Sequence, residues 1–292
     1  MISFTKMHGI GNDFVMVDAI SRSFDEQDLP NLAVAVNDRR FGIGGDGLIL
    51  ALRGKTAPFR MRMFNPDGSE SEMCGNGIRC FAKFVQDLGY TQSDRIDVET
   101  GAGTLHLTVT EDGRVKVDMG QAHLTRSAIG ILPSNAEDFI EQPVQDFLAT
   151  GVSMGNPHIV IFVDDVAAID LPNVGPKLET DPMFAHRTNV HFVQVLDRTH
   201  LIQRTWERGA GITLACGTGA CAVGVAGFLT GRSDRHVSIK LPGGELEIEY
   251  FPNGKVQMTG PAETVFTGDY IEPATQVLDF AAIREVELLE HI

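Results

Sequence analysis

Two Cys-Gly dipeptides, Cys74-Gly75 and Cys216-Gly217, each open an apolar stretch, and each is followed by a second glycine, Gly77 or Gly219. A cysteine at a helix start meets unpaired backbone N–H groups and the positive end of the helix dipole. Both favour a thiolate, so the expected thiol pKa is lowered. The neighbouring glycines let backbone approach a ligand closely, and their N–H groups can cradle a carboxylate or phosphate. Each motif therefore offers a reactive sulfur beside an anion cradle. Two such cradles facing each other suit removal of a proton from one face of a carbon and delivery of one to the other. That is racemisation or epimerisation without a cofactor. One sulfur is thiolate base and the other thiol acid, with roles exchanged in the reverse direction. An amino-acid α-proton is weakly acidic, so charge must flow into the α-carboxylate. One well-placed oxyanion donor is worth roughly 2.7–4 kcal/mol, and two helix ends together would remove much of the barrier.

The two motifs belong to a repeat. Met73-Cys74-Gly75-Asn76-Gly77 recurs as Ala215-Cys216-Gly217-Thr218-Gly219, and second cysteines follow at Cys80 and Cys221. Upstream, Phe64-Asn65 matches Trp206-Glu207; downstream, Gly103-Thr104-Leu105 matches Gly244-Glu245-Leu246, and the turn Asp112-Gly113 matches Asn253-Gly254. Gly11-Asn12 and Gly155-Asn156 both lead into apolar runs. Matches in this order at nearly constant offset point to a duplicated domain. The sequence predicts two α+β halves, 1–120 carrying Cys74 and 121–263 carrying Cys216. A return segment and tail, 264–292, is expected to pack on the first half. Predicted strands are Phe14–Val17, Leu48–Leu52, Arg60–Phe64 and Val115–Asp118, then Ile159–Val163, His191–Val195, Ile202–Trp206 and Lys255–Met258. One helix in each half runs from its Cys-Gly to about Leu88 or Leu229. Pro172-Asn173 and the Pro176–Pro182 stretch read as loop. Residues 274–292 read as an amphipathic tail.

Other readings are weaker. A Cys-His hydrolase leaves the second Cys-Gly helix unexplained. Purely structural packing suits Cys80 and Cys221, inside the apolar helices, better than Cys74 and Cys216. No metal site is expected, because the nine histidines are scattered and no Cys-x-x-Cys or His-x-x-x-His spacing occurs. His158 reads as a loop hydrogen-bonder. Gly42-Ile43-Gly44-Gly45-Asp46-Gly47 satisfies G-x-G-x-x-G, but charged residues precede it and a β-like run follows, the reverse of a dinucleotide site. Residues 209–231 carry no charge over 23 positions, but seven are glycine, and a buried helix fits better than a membrane span. In 292 residues, 24 Lys plus Arg stand against 39 Asp plus Glu, a formal charge of −15. That balance excludes a basic nucleic-acid-binding face. Four cysteines are too few for a disulfide scaffold, and the opening residues lack a secretory pattern, so a reduced cytoplasmic protein is expected.

The chain resembles the diaminopimelate epimerase family. The resemblance is carried by His8-Gly9-Ile10-Gly11-Asn12-Asp13-Phe14, Phe64-Asn65-Pro66-Asp67-Gly68-Ser69 and Met73-Cys74-Gly75-Asn76-Gly77-Ile78-Arg79-Cys80. Gly155-Asn156-Pro157-His158, Arg187-Thr188-Asn189, Glu207-Arg208-Gly209-Ala210-Gly211 and Ala215-Cys216-Gly217-Thr218-Gly219-Ala220 complete it. It implies two pseudo-symmetric α+β domains, each a curved sheet or barrel round a central helix, with the site between them. It also implies cofactor-independent interconversion of LL- and meso-diaminopimelate in a homodimer. By this similarity Cys74 and Cys216 are the acid–base pair, and Gly75, Asn76, Gly217 and Thr218 donate to the reacting carboxylate. Asn12, Asn65, Asn156, Asn189, Glu207 and Arg208 would grip the substrate, especially its distal end. Arg208 suits a carboxylate and Glu207 an ammonium.

Two positions depart from the family pattern. Many relatives carry Glu where Ile212 stands, and some carry Gln at Gly47, the repeat partner of Asn189; Asp46 is the nearby substitute for that contact. The rivals are a racemase of the same architecture acting on another amino acid, and a thiol-containing ligand-binding protein without turnover. Proline-type relatives usually place His after the first Cys-Gly, whereas Asn76 stands here.

Overall fold

The structure, a computed structural model, describes residues 1–271. The proposed tail, 274–292, lies outside the described residues. The chain begins with β1 (Ile2–Gly9), β2 (Asn12–Asp18), α1 (Leu29–Asn37), β3 (Gly47–Arg53), β4 (Phe59–Phe64) and β5 (Glu70–Ser71). Next come α2 (Gly75–Asp87), β6 (Arg95–Thr100), β7 (Gly103–Val109) and β8 (Val115–Gln121). A short α3 (Arg126–Ile129) and β9 (Gln142–Val144) lead into β10 (Phe147–Ser153), β11 (Pro157–Phe162), α4 (Leu171–Glu179), β12 (Asn189–Val195) and β13 (His200–Glu207). The order closes with β14 (Gly211–Thr213), α5 (Gly217–Leu229), β15 (His236–Leu241), β16 (Gly244–Tyr250), β17 (Lys255–Gly260) and β18 (Glu263–Tyr270). All the predicted strands and both central helices are present, with ends shifted by a few residues.

The two halves use one pairing scheme. In the first, β1 is antiparallel to β2, β2 parallel to β3, β3 antiparallel to β4, β4 parallel to β6, and β6, β7 and β8 continue antiparallel. The same succession of directions runs from β10 to β11, β12, β13, β15, β16 and β17. Helix α2 touches strands from both ends of its ladder, β1 and β2 as well as β7 and β8, so the sheet curls round it; α5 is enclosed likewise. Alternation along the strands places the core on the helix side: in β8, Val115, Val117 and Met119 are buried while the residues between them are partly exposed. Two antiparallel joins unite the halves. β17 pairs with β8, Met258 opposite Val117, and β18 returns to pair with β1, Tyr270 opposite Ile2.

Ten of the thirteen residues of α5 are buried, which explains why its sequence is apolar on every face. No helix among the described residues is long and apolar enough to cross a membrane. The G-x-G-x-x-G segment lies between a helix, α1, and a strand, β3, as the sequence context indicated.

The loop reading of 172–182 is corrected. Residues Leu171–Glu179 form α4, the counterpart of α1, and both helices carry proline in the first turn. Proline there is favourable, because the missing N–H has no intrahelical partner anyway and the ring fixes a helical φ. Pro176 also falls within α4. Lacking an N–H, Pro176 leaves one ladder bond unmade, the one that would reach back to the carbonyl of Pro172 in the first turn. Packing secures the helix: a Cβ on Gly175 would come within 2.6 Å of the Trp206 ring, so only glycine lets α4 lie this close.

Candidate active site

The N-termini of α2 and α5 meet. A Cβ placed on Gly75 would lie 3.9 Å from Gly217 Cα, and one on Gly217 would lie 3.6 Å from Asn76 Oδ1. Met258 of β17 sits beneath both glycines, so the seam between the halves also sets the helix-to-helix spacing. Above this junction opens a cleft of ≈ 930 Å³ lined by both cysteines and by residues of both halves. Asn12, Asn65, Gly75, Asn76, Asn156, Glu207, Arg208, Gly217 and Thr218 all line it. Asn189 does not; it is buried behind the wall, where its Oδ1 accepts from the Arg208 N–H (2.9 Å) and its Nδ2 donates to Pro157 O (2.8 Å). Asn189 therefore shapes the Arg208 turn from behind.

Cys74 is the N-cap of α2, and its Sγ accepts from the Gly77 N–H at 3.5 Å. Asn12 Oδ1 lies 3.7 Å from that sulfur and accepts from Asn76 Nδ2 (3.1 Å), while Asn12 Nδ2 donates to Asp46 (2.7 Å). Asp46 thus lines the cleft and fixes Asn12, whereas Gly47 is buried at the start of β3 with its Cα side against Met63 and Phe64. Ile212 lines the cleft and is half exposed. Cys216 is buried, within reach of Thr218 Oγ1 (3.9 Å). A Cβ on Gly219 would stand 2.9 Å from its Sγ and 2.3 Å from His191 Cε1, so that turn of α5 requires glycine.

The expectation of lowered thiol pKa values is corrected. Burial pushes the Cys74 thiol up, and the N–H groups of Gly77 and Asn76, with the Arg79 charge, only oppose the rise. Burial pushes Cys216 well up, and the Glu207 carboxylate beside it adds to the effect. Helix ends favour the thiolate, but in this closed interior loss of hydration is the larger effect. Cys80 and Cys221, deep in the core, are pushed up to about 12. All four cysteines are free thiols. A raised pKa means little thiolate at neutral pH, so alkylation of Cys74 by iodoacetamide in the ligand-free protein should be slow at pH 7. Its rate, followed by mass spectrometry, should still be climbing above pH 9. A rate already level by pH 8 would show a lowered pKa instead.

Several residues at the site gave no signal in the sequence. Arg79 is wholly buried, donating from Nη1 to Gly75 O and Asn76 Oδ1 (both 3.0 Å) and from Nε to Pro261 O (3.1 Å). Glu179, at the end of α4, accepts from Trp206 Nε1 (2.7 Å) and from the Gly209 N–H (3.1 Å), clamping both sides of Glu207-Arg208. His158 lies in β11 rather than in a loop, and it does hydrogen-bond, to Asn156 and His191. Among the described residues the ligand atoms of His158, His191 and Cys216 fall within 4.8 Å of one another, closer than scattered histidines in the sequence suggested. The facing imidazole nitrogens are 2.9 Å apart and bonded to each other, the arrangement of a hydrogen-bond chain.

Comparison with known proteins agrees with this architecture. Residues 4–125 and 150–265 match the family model described as diaminopimelate epimerase. The diaminopimelate epimerase of Moorella thermoacetica is 52% identical over 276 residues, covering 91% of this chain and 98% of that one. That of Trichodesmium erythraeum is 50% identical over 273 residues, with the same coverage. Among solved structures, a predicted epimerase from Pseudomonas aeruginosa superposes with a TM-score of 0.65 at 17% identity, covering 94% of this chain and all of that one. A probable proline racemase from Agrobacterium radiobacter gives 0.66 at 14% identity, covering 95% of each chain. The distant structures share the fold, and the close relatives are half identical along 91% of this chain, through both halves; the chain belongs to the diaminopimelate epimerase family.

Proposed function

We propose that this protein is an isomerase that converts LL-diaminopimelate to meso-diaminopimelate by two-base epimerisation, with no cofactor and with Cys74 and Cys216 as the acid–base pair. The observation that carries the reading is the meeting of two Cys-Gly helix starts, one from each half, in one cleft. Residues 1–120 and 121–263 act as the two domains, each supplying one sulfur. The α-carboxylate of the substrate docks on the N–H groups of Gly75-Asn76 and Gly217-Thr218, where the helix ends stabilise the charge that develops as the α-proton leaves. Glu207 and Arg208 with Asn12, Asn65 and Asn156 hold the remainder of the substrate, and Asn189 holds Arg208. Cys74 is the easier sulfur to ionise: burial raises both thiols and Glu207 adds to both, but Cys216 is raised further, and the Arg79 charge opposes the rise at Cys74. The substrate ammonium brings the positive charge that a buried thiolate lacks in the free protein. The same reading includes a homodimer, a cytoplasmic setting, and no nucleic-acid or membrane partner.

Incubating the reduced protein with LL-diaminopimelate in D2O should form the meso isomer with deuterium at the inverted α-carbon. Racemisation of a different amino acid, with diaminopimelate untouched, would replace this substrate while leaving the two-base chemistry.

A further inference from the structure

Behind the cleft wall, close to Cys216, runs a line of buried polar side chains that carry no proton in the two-base step. His158 and His191 are wholly buried, as is Gln203. Burial, with its neighbour His191, holds the His158 imidazole well below its ordinary pKa, and burial lowers His191 to about 3. Both rings are therefore neutral at physiological pH, with one N–H and one acceptor nitrogen each. Their order follows from the end of the line. Gln203 Nε2, which can only donate, lies 3.1 Å from His191 Nδ1 and donates to Thr205 Oγ1 (2.9 Å), while Gln203 Oε1 is buried without a partner among the described residues. The Thr205 hydroxyl, 3.0 Å from the same Nδ1, then gives its own proton to that nitrogen. With Nδ1 accepting, the His191 proton sits on Nε2 and points at His158 Nδ1, 2.9 Å away. His158 then carries its proton on Nε2 and donates it to Asn156 Oδ1 at 2.9 Å. The Asn156 amide is thereby left with its Nδ2 toward Thr218 Oγ1 (3.4 Å) and the cleft.

We propose that His191 and Gln203 are positioning residues: the chain Gln203–His191–His158 fixes which end of the Asn156 amide faces the substrate, so that a donor meets the substrate carboxylate. The inference rests on the proposed function for the identity of that substrate. Reversing the chain would turn the Asn156 oxygen into the cleft, where it would repel an anion. An amide carries no preference of its own between the two orientations, so the partner behind it must choose. Asn156 is assigned to grip rather than to the reacting centre. Losing its donor removes binding common to ground and transition states, which raises KM and spares kcat.

Two measurements test this. In 15N-labelled wild-type protein, two-bond 1H–15N correlations should show His158 and His191 both as Nε2–H tautomers. An Nδ1–H tautomer on His158 overturns the proposal, and this measurement needs neither variant nor substrate. In kinetics, His191→Met should raise KM for LL-diaminopimelate about tenfold, with kcat within about threefold, the pattern of a lost uniform contact. His191→Gln places an amide donor near the lost Nε2–H and should return KM to within about threefold of wild type. Equal KM values in the two variants, or a loss confined to kcat, overturn it. Absence of diaminopimelate turnover by the wild type would defeat the substrate assignment instead, and the tautomer result would still stand.

Discussion

Replacing either Cys74 or Cys216 by alanine should lower epimerisation of LL-diaminopimelate by about a thousandfold or more, within the range of a lost general acid or base. The two losses should not add. A two-base reaction needs one sulfur to take the proton and the other to give one, so removing either leaves the cycle open, and the double variant should be little worse than each single one. Cys80→Ala and Cys221→Ala are the internal controls. These thiols are buried in the helices, away from the cleft lining, and pushed up to about 12, so they should keep turnover within severalfold of wild type. Activity is read by deuterium incorporation under reducing conditions. If both site variants retain wild-type turnover, the two-cysteine mechanism is wrong. If only one is affected, a one-base reaction with solvent as the second partner takes its place.

Arg79→Lys should destabilise the fold by about 3 kcal/mol, the loss of one or two hydrogen bonds to a charged group. Among the described residues no carboxylate pairs with Arg79, so its buried charge is held through two nitrogens of its planar fork. Nη1 donates to Gly75 O and Asn76 Oδ1, with Met258 Sδ at 3.8 Å, and Nε donates to Pro261 O, while Nη2 is buried without a partner among the described residues. A lysine ammonium keeps the charge in the same dry place but cannot reach all three directions at once. Charge retained with fewer hydrogen bonds is the costly combination. Because Pro261 follows β17 while Gly75 and Asn76 open α2, the guanidinium ties the seam between the halves to the helix start. The variant should accordingly lose activity beyond its loss of stability. Urea unfolding measures the first effect: a lower midpoint with an unchanged slope is expected. An unchanged midpoint would mean that the fork is not needed there.

The parts of the site that could be read from the sequence have a common character. Cys74, Cys216 and their glycines stand out because duplication writes the same local pattern twice, and helix-start chemistry is a property of neighbouring residues. Asn12, Asn65, Asn156, Glu207 and Arg208 lie beside recognisable turns, and all reach the cleft. Helix α4 was hidden because its prolines were read as loop, although in a first turn proline is compatible with a helix, and α1 was not predicted at all. Glu179, Arg79, His191 and Gln203 left no local trace. Their roles depend on at least one partner brought up by the fold, as with Arg79 and Pro261, 182 residues apart, or His158 and His191, 33 apart.

By itself the sequence determined the duplication, the two α+β halves, the pair of Cys-Gly helix starts and the class of chemistry they serve. These follow from residue types and short spacings, which act within a turn of helix or a pair of strands. Only the tertiary structure decided that the two helix ends touch, because the pairing of β8 with β17 and the seat of Met258 beneath both glycines are long-range contacts. It also decided the state of the sulfurs. A helix start lowers a thiol pKa when water still surrounds it, but hydration is lost by the packing of the whole molecule, and here that loss raises both thiols.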